Sequence, residues 1–135
     1  MSMWKMDAFS NDDALDFIGV LGVLSDSKKI SIMKDALDTV SDTGSKLELS
    51  DACAAITCSA LVAIQLSPTC MPEDRTIEEV MKKLPDITEL QSLAKSALDR
   101  CLDPKNNDWY ESVIEQGGMT EMTTSLKPFL EILTI

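Results

Sequence analysis

The run Ala52-Cys-Ala-Ala-Ile-Thr-Cys-Ser-Ala-Leu-Val-Ala-Ile-Gln-Leu-Ser-Pro-Thr-Cys-Met-Pro72 is the longest uncharged stretch of the chain. Thr57, Ser59, Gln65, Ser67 and Pro68 interrupt it. Its helical part is about 15 residues, against the roughly 20 that a membrane span requires. It therefore predicts a buried core helix opening at Leu49 or Ser50 and running to about Leu66. The small side chains of Ala52, Ala54, Ala55, Ala60 and Ala63 suit a helix enclosed by others. Ser67, Pro68 and Pro72 then break the chain.

A helix with no polar face needs partners, and the flanking sequence supplies them with a period near 3.6 and almost no strand-like alternation. Upstream, Asn11 reads as an N-cap with Asp12 and Asp13 in the first turn, where the helix dipole favours negative charge. That first helix is predicted to reach about Leu24, with Ala14, Leu15, Ile18 and Leu21 as its stripe and Gly19 and Gly22 admitting a neighbouring backbone. After a start signal at Ser25 to Ser27, a second helix spans about Lys28 to Val40, its inner face Ile30, Met33, Leu37 and Val40. Gly44 marks the connection that follows.

Downstream, a short helix from about Glu73 to Lys83 carries Ile77, Val80, Met81 and Leu84, and Pro85 stops it. Asp86 is predicted to cap the next, whose stripe is Ile87, Leu90, Ala94, Ala97, Leu98 and Cys101. Asn106, Asn107 and Asp108 announce another start, leading through Trp109, Val113 and Ile114 to Gly117 and Gly118. In the last apolar segment Pro128 predicts a division, leaving residues 129–135 as a short helix or an extended tail. The expected architecture is all-α, a compact bundle of five to seven helices in one domain spanning residues 1–135.

Composition narrows function by exclusion. Twenty-three acidic side chains face twelve basic ones, with no histidine, for a formal charge of -11 over 135 residues. Such a chain is a poor ligand for nucleic acid or anionic membrane and a good one for a basic partner. The missing histidine removes the commonest general base and metal ligand. Cys53, Cys58, Cys70 and Cys101 form no C-x-x-C pair, so reduced and mostly buried thiols are expected, with neither metal nor cofactor. No Gly-rich phosphate loop is present, and Asp35, Asp38 and Asp42 have helical spacing where a calcium loop needs its own ladder. The opening residues lack a signal-peptide core, which implies a cytoplasmic address.

The most specific string is Trp4-Lys-Met-Asp-Ala-Phe-Ser-Asn-Asp-Asp-Ala-Leu-Asp-Phe17. It resembles the N-terminal signature of a bacterial family known only as a domain of unknown function: a tryptophan, an aromatic residue, then Asn-Asp-x-Ala-x-Asp and an aromatic. Many such sequences carry tryptophan where this one has Phe17. The resemblance implies a small, acidic, all-helical protein and no particular chemistry. Physically, Trp4 and Phe9 can staple over the first helix.

Asp35, Asp38 and Asp42 fall on one helical stripe opposite the apolar face of the second helix. Glu78 with Glu79, and Glu111 with Glu115, are further acidic groups of this kind. Each is ordinarily a solvated helix surface; together they suit docking into a cationic groove. The function expected is that of an immunity or antitoxin-type protein covering the basic active site of a nuclease-type toxin. A structural or regulatory interaction protein is the alternative. An enzyme using carboxylates is a third class, and it would need two acids around a concave apolar site.

Overall fold

The computed structural model describes residues 12–41, 46–71, 73 and 75–134. At its centre lies α3 (Leu49–Leu66), in which every residue from Ala55 to Ile64 is buried. The surrounding helices are α1 (Asp12–Leu21), α2 (Asp26–Ser41), α4 (Arg75–Lys83), α5 (Gln91–Cys101), α6 (Asp108–Glu115) and α7 (Met119–Thr134). Helices α1, α2, α5, α6 and α7 all pack on α3. Its alanines let these neighbours approach, and its buried hydroxyls are satisfied: Thr57 Oγ1 donates to Cys53 O (2.9 Å) and Ser59 Oγ to Ala94 O of α5 (3.1 Å). Length and a mean hydropathy of 1.6 would allow α3 to cross a membrane, but 67% of it is buried inside the fold. The architecture is all-α, as the periodicity predicts. Among the described residues the only β-pairing is an isolated bridge between Leu47 and Asn107.

Several local expectations are corrected. Helix α1 stops at Leu21, short of Leu24, because the ladder tightens into i to i+3 bonds past Gly22: Val23 N donates to Val20 O and Leu24 N to Leu21 O. Ala14, Ile18 and Leu21 are buried as expected, whereas Leu15 is 50% exposed. Among the described residues no neighbouring backbone approaches Gly19 or Gly22: a Cβ at Gly19 would meet nothing within 4 Å, and one at Gly22 would meet only carbonyls of α1 itself. In α2 the buried set is Met33, Leu37, Val40 and Lys29, with Ile30 only half-buried. Lys29 enters because its Nζ donates to Lys83 O (2.9 Å), a terminal carbonyl of α4 with no partner inside its own helix.

The stripe from Ile87 to Cys101 is buried throughout, but Asp86 does not cap α5 directly. Its Oδ1 accepts from Thr88 N (3.0 Å) and Thr88 Oγ1 (2.6 Å), closing a turn. A 3-10 turn over Thr88–Leu90 follows before α5 begins. Gln65 locks this connection to the end of α3, donating to Pro85 O (2.9 Å) and accepting from Ile87 N (2.6 Å). Helix α4 starts at Arg75, with Ile77 and Val80 buried and Met81 and Leu84 half-buried.

Asn107 caps α6 and does more. It is 1% exposed; its Oδ1 accepts from Tyr110 N (2.9 Å), while its Nδ2 donates to Cys101 O (2.7 Å) and Asp103 O (2.9 Å). Gly117, at φ 69°, makes the left-handed turn into α7. Helix α7 runs unbroken through Pro128, contrary to the expected division. Thr124 and Pro128 both face solvent, so water can serve the carbonyl that the proline nitrogen cannot. Burial of Met122, Leu126, Phe129 and Leu133 along one stripe holds both halves in line. The expectations for Trp4, Phe9, Asn11 and Gly44 lie outside the described residues.

Asn107→Ala should lower stability by about 3 kcal/mol in urea denaturation, because two carbonyls and one amide lose their partner together. Pro128→Ala should raise stability by about 1 kcal/mol or more, since it restores a helical hydrogen bond at an exposed site. The Thr88 hydroxyl, and then its amide, hold the Asp86 carboxyl below the usual carboxylate range. That stabilisation is present in full at neutral pH and is lost as the pH falls through the depressed value. Asp86→Ala should accordingly be less stable than the parent at neutral pH, with the gap closing in acid titrations.

Candidate functional site

The acidic groups expected from the sequence sit on three helices with different neighbours. Asp35 is exposed and Asp38 half-buried on α2, which packs against α3 and α5; Asp42 lies outside the described residues. Helix α2 is charge-balanced, its Asp26, Asp35 and Asp38 offset by Lys28, Lys29 and Lys34. Glu78 and Glu79 are exposed on α4 beside Arg75, Lys82 and Lys83, so that helix carries a basic excess. These two groups are therefore weak sources of acidic field.

Helix α6 is different. Asp108, Glu111 and Glu115 follow one another at steps of three and four residues and so share one face, opposite buried Trp109 and Val113. The helix itself contains no basic residue. Its start is fixed by the bridge to the segment before α3: Leu47 N donates to Asn106 O (2.7 Å) and Asp108 N to Leu47 O (2.9 Å). This brings the N-termini of α3 and α6 side by side. Glu48 and Asp51 at the start of α3 thereby join the α6 stripe in one acidic corner, and neither was singled out from the sequence.

Three cations stand near these five carboxylates: Lys46, Lys105 just before α6, and Arg100, whose guanidinium donates to Lys105 O and Asn106 O (3.0 Å each). Lys46 Nζ lies 3.1 Å from Asp108 Oδ1, and the hydrogen bond to Asp108, its charge and the charge of Glu111 raise the lysine pKa above its ordinary value. Asp51, Asp108 and Glu111 occupy first turns, where they also offset the positive ends of the helix dipoles. The same two helices expose two large apolar side chains: Ile114, 54% exposed on α6, and Leu49, 39% exposed at the start of α3. Two further ion pairs, Lys95–Asp99 and Lys127–Glu131, involve none of the acids of the corner.

Elsewhere the chemistry is quiet. Burial pushes the thiols of Cys58 and Cys101 far up; at Cys101 the neighbouring Cys53 adds to this and Arg100 opposes it. Partial burial also raises Cys70. These thiols are poor nucleophiles. Open grooves flank α4, one against α1 and one beside Met71 and Met81. Each holds a single carboxylate among its described lining residues, Glu79 in the first and Glu78 in the second. Among the described residues no three Cys, Asp or Glu side chains are placed to hold a metal ion.

The fold and the corner together define a small, acidic, all-α protein built around one central helix. A model of the domain of unknown function DUF4259 matches residues 2–124, and the chain belongs to that family. The match ends within α7, four residues before Pro128. Neither the curated proteins nor the solved structures give a match to this chain.

Proposed function

We propose that this protein is a binding module that captures a basic protein through the α3–α6 corner. More specifically, we propose an immunity or antitoxin-type role in the bacterial cytoplasm, covering the cationic active site of a nuclease-type toxin. The observation that carries this reading is the corner itself: five carboxylates outnumber the nearby cations Lys46, Arg100 and Lys105, and the helices that carry the carboxylates also expose Ile114 and Leu49. Exposed apolar side chains beside charged ones suit a protein interface. The carboxylates would steer a cationic partner from a distance and fix its register, while the apolar side chains would supply affinity once water is expelled. The grooves flanking α4 do not bring two carboxylates together, and the thiols are held protonated, which favours binding over catalysis.

The test is co-purification with a nuclease-domain product encoded beside this gene, at low and high salt, together with rescue of cells expressing that product. Glu111→Lys combined with Glu115→Lys should slow association about tenfold or more at low salt, with the gap shrinking as salt rises. Stability should fall by no more than about 1 kcal/mol, from the loss of the first-turn charge of Glu111, since both side chains are exposed. Asp35→Lys with Asp38→Lys, on charge-balanced α2, should slow association less. Absence of a complex at every ionic strength, with no rescue, would sink the immunity reading.

A further inference from the structure

The connection between α5 and α6, residues 102–107, is held from both ends by side chains on its flanks. At its far end Asn107 Nδ2 donates to Cys101 O and Asp103 O. From its near end Arg100, in the last turn of α5, spreads its guanidinium over two consecutive carbonyls, Nη1 donating to Lys105 O (3.0 Å) and Nη2 to Asn106 O (3.0 Å). The second of these carbonyls also accepts from Leu47 N (2.7 Å), in the bridge to the segment before α3. Arg100 therefore grips the joint on which the acidic corner is built. Asn106 stands at φ 48°, a left-handed conformation that costs an L residue free energy and must be held by its surroundings. A rigid guanidinium fork directs both carbonyls at once, which an ammonium on a flexible stem does not.

Charge and geometry pull in opposite directions at this side chain. As a cation beside the corner, Arg100 weakens the acidic field that steers a basic partner. Its hydrogen bonds act the other way: with Asn106 O held in place for Leu47 N, the start of α3, with Glu48 and Asp51, is registered against the start of α6, with Asp108 and Glu111. A surface whose charges are already in register binds more tightly than one that must be ordered on contact. We propose that Arg100 is the positioning residue of the α3–α6 corner, its fork fixing the carboxylates of α6 relative to those of α3 for capture of a basic protein. The capture half of this rests on the function proposed above, whereas the fixing of the joint is measurable without any partner.

Two variants separate the fork from the charge: Arg100→Lys keeps the charge and loses the fork, and Arg100→Gln loses both. In hydrogen exchange of the full chain, the amides of Leu47 and Asp108, which make the two bonds of the bridge, should exchange about tenfold faster or more in either variant, with the amides of Ala60 to Ile64 in α3 unchanged. Against the nuclease-domain product encoded beside the gene, both variants should bind about fivefold or more weakly at low and high salt, although Arg100→Gln leaves the corner more acidic. A role through charge alone makes Arg100→Lys silent and Arg100→Gln a tighter binder at low salt, and that pattern overturns the proposal. Unchanged exchange at Leu47 and Asp108 overturns it too, as does faster exchange throughout α3, which marks general destabilisation. A parent chain that captures no such product sinks the capture reading, while exchange still decides whether Arg100 fixes the joint.

Discussion

Everything in this fold follows from a helix that has no side to show to water. From Ala55 to Ile64 all residues of α3 are buried, so each direction around its axis must be covered by another element. Five helices do so, and among them α5 packs also on α2 and α7. Small residues on α3 bring the neighbours close, and its two buried hydroxyls find carbonyl partners. Substitution of a larger or unsatisfied polar side chain there would be felt by several helices together.

That dependence explains what was legible in the sequence. A long uncharged run bounded by prolines needs no tertiary knowledge to be read as a core helix, and the α5 stripe from Ile87 to Cys101 follows from spacing alone. What escaped was decided by partners distant in the chain. Lys29 displaced Ile30 from the core because the C-terminus of α4, fifty-four residues on, offers its amine a carbonyl. Pro128 failed to divide α7 because apolar residues on both sides of it are buried along one stripe. The rule about proline was sound locally and was overridden by packing.

The acidic excess shows the same division. Glu111 and Glu115 were visible as a helical pair, but their weight relative to the groups on α2 and α4 depends on nearby lysines and on the bridge between Leu47 and Asn107. That bridge joins segments sixty residues apart and converts two separate helix starts into one corner. No periodicity within either segment signals it. The cluster at Asn106 to Asp108 did announce a helix start, yet its side chain at Asn107 also ties down the end of α5.

The contact between Lys29 and the last turn of α4 separates two kinds of electrostatics. A buried ammonium held by a helix terminus, with no carboxylate counterpart among the described residues, offers little for mobile ions to screen or mild acid to neutralise. The acids of the α3–α6 corner and of α4 are, by contrast, largely open to solvent. Ionic strength would therefore act on the docking proposed for the corner while leaving how α2 grips α4 almost untouched, so that the medium tunes the surface field and not the scaffold.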